Sequence, residues 1–144
     1  MNRIKVYIFI FLFAIFLTSN VSSKSNHFNE GKKLFQQKKF SESKFKFEKD
    51  IVYNPKSELS YLYLAKIFNE EKKYTLEEQN LDTVILLNPK NEEAIYMLTI
   101  LKIKQSDYSN AKELIEKFDL VCESFCSKKS ELKSKFSKLI PINE

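Results

Sequence analysis

Pro55 and Pro89 stand 34 residues apart, and the residues ahead of each align as well. Phe40, Tyr74 and Tyr108 share that spacing, as do Phe47, Leu81 and Ile115, and the small or near-small Gly31, Ala65 and Thr99. A fixed period of this length marks stacked supersecondary units rather than one irregular core. Each unit holds two apolar patterns with helical spacings of three, four and seven, separated by a polar break. In the first unit Phe28, Gly31, Leu34 and Phe35 lead to Lys38-Lys39, then to Phe40, Phe47 and Ile51. The second runs through Leu62, Leu64, Ile67 and Phe68 to Glu71-Lys72-Lys73, then Tyr74, Leu81, Val84 and Ile85. In the third, Ile95, Leu98 and Leu101 precede Gln105-Ser106-Asp107, followed by Tyr108, Ala111, Ile115 and Phe118. Asn54-Pro55 and Asn88-Pro89 end the second helices, because a residue before proline is pushed out of the α region. The units are expected at about 24–57, 58–91 and 92–125.

One glycine and three prolines in 144 residues leave little room for tight β-turns or for a glycine loop that cradles phosphate. The chain is therefore read as all-α, one domain's worth of structure. Its net charge of +5 is spread along the sequence rather than gathered on one basic face, so no nucleic-acid partner is expected.

These residues resemble the tetratricopeptide repeat, a helix–turn–helix unit of this length. The first unit has the family's glycine at the eighth position (Gly31), an aromatic at the seventeenth (Phe40), Phe47 at the twenty-fourth and Pro55 at the thirty-second. The second matches with Leu64, Ala65, Phe68, Tyr74, Leu81 and Pro89, and the third with Leu98, Tyr108 and Ala111, although Glu123 stands where the proline belongs. The resemblance implies an α-solenoid of three repeats, with the aromatics at 40, 74 and 108 filling the wedge between paired helices. There are departures. Asp50 and Glu77 replace residues the family keeps small, Lys102 replaces an aromatic, and Lys38 and Lys72 occupy a turn where glycine is common. They predict looser packing or a shifted helix phase.

Beyond the third unit, at about 127–140, Leu132, Phe136, Leu139 and Ile140 share one face and lysines occupy the rest. This reads as a capping helix, which closes a solenoid with a polar outer side; the alternative is a basic helix lying on an anionic membrane. Cys122 and Cys126, the two cysteines of the chain, fall in the turn before it. In an exported chain such a pair suggests a disulfide, while the C-x-x-C spacing of redox sites and further metal ligands are both missing.

Arg3 and Lys5 precede an apolar run at residues 6–17 and a small, polar exit. That order reads as a secretory signal peptide over residues 1–23, leaving a mature domain over 24–144. The expected destination is the bacterial periplasm. The alternative is an uncleaved segment that anchors the chain in the inner membrane facing the periplasm.

His27 is the one histidine, and no nucleophile motif or metal-ligand cluster accompanies it. The chain is read as non-catalytic, with no cofactor and no metal; a hydrolase would have to rest on His27 alone. The family resemblance implies a concave groove lined by the first helix of each unit. Carried over, its contact positions are Phe28, Lys32, Phe35 and Gln36, then Leu62, Lys66, Asn69 and Glu70, then Tyr96, Ile100, Ile103 and Lys104. Such a surface, apolar with lysines at intervals, suits a peptide or protein partner with hydrophobic anchors and acidic character. The Lys/Asn pattern by which chaperone-binding members clamp a C-terminal carboxylate is not reproduced. The reading is an exported adaptor or scaffold, with envelope-complex assembly implied by the resemblance; a membrane-tethered structural protein is the alternative.

Overall fold

The computed structural model describes residues 26–138; the segment read as a signal peptide and the last residues of the expected cap lie outside them. Within that range the chain forms helices α1 (His27–Gln36), α2 (Phe40–Tyr53), α3 (Glu58–Glu70), α4 (Tyr74–Leu87), α5 (Glu92–Lys104) and α6 (Tyr108–Val121). A 3₁₀ turn (Cys126–Lys128) and α7 (Lys129–Ser137) follow. No strand occurs among the described residues. The closest pairings are α1 with α2, α3 with α4 and α5 with α6; then each second helix meets the next first helix, and α7 rests on α5 and α6. This is an α-solenoid of three helical hairpins.

Each first helix ends the same way. Lys39 N–H donates to Leu34 O (3.0 Å) and Lys38 N–H to Phe35 O (2.9 Å), the paired bonds of a Schellman turn. Lys73 to Phe68 with Lys72 to Asn69, and Asp107 to Lys102 with Ser106 to Ile103, repeat it. Lys38, Lys72 and Ser106 are accordingly left-handed, with φ of 58°, 56° and 60°. At the other edge Asn54 and Asn88 are extended (φ −136° and −139°), as the following prolines require. Cys122, with no proline after it, ends α6 at ψ 132°, and its sulfur is bonded to that of Cys126.

Close approach within the first hairpin depends on Gly31. A Cβ there would lie 2.8 Å from Cε1 of the buried Phe47 ring, and Ser43 Oγ donates to Gly31 O at 2.8 Å. Of the three aromatics expected in the wedges, Phe40 meets Phe35 (5.5 Å between ring centres) and Tyr108 meets Phe136 (6.4 Å). Tyr74 stays 39% exposed. The reason is register: the residue 34 before Phe136 is Lys102, which forms ion pairs with Glu78 (2.6 Å) and Asp107 (3.4 Å) and offers no ring.

The two acids that replace small residues are buried, and each meets a donor. Asp50 accepts from Ser57 Oγ and Ser60 Oγ, both at 2.6 Å, which ties α2 to the start of α3. Glu77 Oε1 accepts from Asn69 Nδ2 at 2.7 Å. The cap, for its part, keeps the period. Leu64, Leu98 and Leu132 are 34 apart and all buried, so α7 takes the place of a first helix in a fourth unit.

Gly31→Ala is expected to destabilise the fold by up to about 2 kcal/mol: overpacking against Phe47 costs roughly 1–3 and the helix-propensity gain offsets about 1. Urea unfolding should show a lower midpoint at unchanged slope, with partial recovery in the Gly31→Ala/Phe47→Leu double variant. An unchanged midpoint in Gly31→Ala would show that Phe47 yields freely.

Candidate functional site

Helices α1, α3 and α5 stand side by side as the first members of their hairpins, and their shared face is where the groove residues were expected. The structure divides them. Lys32 and Lys104 are exposed; Lys66, Asn69 and Ile100 are half-buried. Leu62 (3% exposed) packs with Ala65, Leu81, Ala94 and Leu98 in the core between the second and third hairpins, and Ile103 (7%) is buried too. These two offer no surface, since their side chains turn toward neighbouring helices. Phe28 and Phe35 are half-buried in an aromatic cluster around Tyr63.

Tyr63 was not among the expected groove residues, yet it joins the first two hairpins. Its ring stacks on Phe47 with centres 5.0 Å apart and meets Phe35 edge-on at 5.1 Å. Burial, with the Glu93 charge second, pushes its hydroxyl pKa up. Lys66 Nζ lies 4.8 Å from the Tyr63 ring centre and 2.9 Å from Glu93 Oε1. The pairing holds Lys66 across two units. A signal for Tyr63 existed in the sequence: it directly precedes Leu64, as Glu131 precedes Leu132, so both face the preceding unit.

Tyr96 belongs to the cap joint rather than to an open groove. Its hydroxyl donates to Glu131 Oε1 (2.9 Å), Lys128 Nζ lies over its ring (5.5 Å), and Phe125 and Phe118 flank it. Burial first and Glu131 second raise the Tyr96 pKa, while the Lys128 bond chiefly lowers that of Glu131. The loop beneath is held by Glu92, whose carboxylate accepts from the N–H groups of Glu123, Ser124 and Phe125 at 3.0, 3.2 and 2.7 Å. Those bonds, Phe125's foremost, lower its pKa.

At the far end of the face, Lys104 Nζ lies 5.8 Å from the ring centre of Tyr74. Asn69 gives its amide to Glu77 and so is committed inward. On another side a cleft of about 460 Å³ opens between α4, α5 and α6, lined by Glu78, Asp82, Lys102 and Lys117 among others. Burial and the neighbouring Glu78 raise the Asp82 pKa. Among the described residues no cluster of three or more His, Cys, Asp or Glu is placed to hold a metal ion. His27 stacks on Tyr53 at 5.7 Å between ring centres, away from the shared face.

No family model and no curated protein matches the sequence. Solved structures do. The TPR2B domain of yeast Sti1, in a complex with pHsp70, superposes at a TM-score of 0.70 with 16% identity, covering 79% of this chain and 98% of that one. The second TPR domain of human RPAP3, in complex with the HSP70 peptide SGPTIEEVD, gives 0.69 with 18% identity over 78% and 92%. The Yersinia enterocolitica type III secretion chaperone SycD, in complex with a peptide of the translocator YopD, gives 0.72 with 11% identity over 83% and 95%. The chain has the tetratricopeptide-repeat fold.

The buried Glu77 makes a pH-dependent prediction. Its Oε2 has no hydrogen-bond partner, and burial raises its pKa above the ordinary 4.5, against the smaller opposing effect of the Asn69 bond. A carboxyl raised on folding costs stability when ionised, and that cost fades as pH falls through the folded pKa. Glu77→Gln is therefore expected to be more stable than the parent at pH 7 by about 1 kcal/mol. The gap should narrow toward pH 4.5, as read by urea midpoints across pH.

Proposed function

We propose that this chain is a non-catalytic protein-binding adaptor that takes an acidic peptide or helix along the face of α1, α3 and α5. One observation carries the reading: Lys32 on α1 and Lys104 on α5 are exposed, and Lys66 stands on α3 between those helices with its charge shared with Glu93, while Tyr63 and Tyr74 lie against Lys66 and Lys104. Rigid helices present such contacts at little ordering cost, and charge sets orientation and encounter rate. The Sti1, RPAP3 and SycD structures are complexes with peptides or chaperone segments, and the RPAP3 peptide carries adjacent glutamates. Because Leu62, Ile103 and Tyr96 are taken up elsewhere, the surface is more cationic and less apolar than the sequence suggested.

We further propose export through residues 1–23, with a mature chain starting at Lys24 in the bacterial periplasm and a role in assembling envelope complexes. The basic start and apolar run support the first step. The bond between Cys122 and Cys126 suits an oxidising compartment. A second reading, in which the segment is retained as a tether, draws support from the length of the uncharged stretch 6–23, near the lower limit for a bilayer span. The intact mass of protein recovered from envelopes separates them: loss of residues 1–23 supports cleavage, and a full-length mass sinks it.

The groove is tested by crosslinking capture from native envelopes. Lys32→Glu/Lys104→Glu is expected to cut partner recovery at least about tenfold, the scale of losing about 1.4 kcal/mol, with helicity unchanged and Phe45→Ala as an outer-face control. Recovery equal to the parent's would move binding off this face.

A further inference from the structure

Each hairpin passes the chain onward through one loop, and the three loops are closed by different means. Asn54, Asn88 and Cys122 stand 34 residues apart, followed by Pro55, Pro89 and Glu123; four residues on, Glu58, Glu92 and Cys126 keep the same spacing. In the first two loops the proline ring fixes a backbone dihedral. In the second, Asn88 and Asn91 also give their amides to Glu58, at 2.9 and 2.7 Å. The third loop has neither the proline nor the asparagines. Its covalent constraint is the bond between Cys122 and Cys126, and beside it Glu92 accepts from the backbone of residues 123–125. A proline ring is permanent, whereas a disulfide is opened by thiols.

What hangs on this loop is the cap, and the cap is lightly held. α7 has one fully buried side chain, Leu132, set against Ile95, Ile115 and Phe118, with Phe136 half-buried beside it. Its other ties lie nearer the surface: Glu131 to Tyr96, and Lys129 and Lys133 to Asp119. Ion pairs of this kind add little. The place of α7 therefore depends on the path of residues 122–128, which sets where the helix begins. Cys122 is half-buried against the same cluster as Leu132, and Cys126 is half-buried at the start of the 3₁₀ turn. Neither cysteine is sealed in the core.

We propose that the Cys122–Cys126 bond is a redox lock on the cap: closed, it keeps α7 over Tyr96; opened by a dithiol reductant, it releases α7 from α5 and α6. The step is thiol–disulfide exchange. A thiolate of the reductant attacks one of the two sulfurs and forms a mixed disulfide, which the reductant's second thiol then displaces. Two electrons and two protons pass to the protein, which is left with two thiols while the reductant holds the disulfide. For so short a loop the lost constraint is worth a factor of about 30 in the docking equilibrium. Docking and the bond are linked, so the docked cap makes the bond harder to reduce by the same factor. Release uncovers Tyr96 on α5. That the longer face then serves a partner rests on the adaptor reading; the lock itself does not.

The test uses the full chain, residues 1–144, oxidised or reduced with dithiothreitol, with its free thiols counted by alkylation. Hydrogen exchange of the α7 amides is expected to run at least about fivefold faster in the reduced chain, with α3 unchanged. Cys122→Ser/Cys126→Ser should exchange as the reduced chain does, with or without dithiothreitol. Leu132→Ala loosens the cap from its other side and should shift the equilibrium of the bond with dithiothreitol toward the thiols at least about fivefold. Phe45→Ala, at the far end of the solenoid, should leave that equilibrium where it is. Equal α7 exchange in the oxidised and reduced chains would overturn the lock and leave the bond a local staple. Acceleration of α3 and α7 alike would also overturn it, by showing that the bond serves the whole fold, and so would reduction that proceeds only in urea.

Discussion

Each hairpin of this chain carries more apolar surface than its own two helices can cover, and the next first helix covers the remainder. The contact is concrete in the middle of the solenoid, where Leu62, Leu81 and Val84 of the second hairpin meet Ala94, Leu98 and Leu101 of the third. It is repeated at the C-terminal end by Leu132 of α7 against Ile95, Ile115 and Phe118. At roughly 25 cal/mol for each Å² of apolar surface removed from water, a few such side chains outweigh any single polar contact in the molecule. Stability is then approximately a sum over neighbours, and no unit stands without the one beside it.

That dependence explains why the fold was legible and the face was not. A period of 34 fixes the hairpins, and the buried leucines at 64, 98 and 132 extend it into the cap. Helical spacing reports that a side chain is on the apolar stripe, yet the stripe of a first helix borders three things: its own partner, the next unit and the open face. Leu62 and Ile103 lie on the stripe and face inward. Tyr96 is on the open side of α5, but α7 arrives there in register and places Glu131 and Lys128 on it. Seeing this from sequence needs the cap to be counted as part of the repeat.

The departures from the repeat pattern turned out to be local solutions, each different. Asp50 is answered by two serines at the head of the next helix, Lys102 by Glu78 and Asp107, and Glu77 by Asn69 on one oxygen only. Buried polar groups are tolerated where partners meet them and costly where they do not. Two of these pairings cross units, so a slipped stacking of one unit on another would leave Asp50 without its serines or Lys102 without Glu78. The polar substitutions thus disfavour misregistered packing of units whose apolar residues are otherwise alike.

The solenoid consequently has surfaces of unlike chemistry set by one repeated geometry. Schellman turns bring Lys38, Lys72 and Ser106 to one edge, while proline loops and helix ends bring Val52, Leu86 and Leu120 to the other. Between them the first helices present Lys32, Lys66 and Lys104. Since a residue's place in the unit decides which surface it joins, a substitution at one position of the repeat acts on one surface and leaves the others in place. Glu92 shows the coupling that remains: by holding residues 123–125 it fixes the loop that carries α7, and α7 in turn covers Tyr96 at the end of the lysine-lined face. The cap therefore both closes the core and limits the open length of α5.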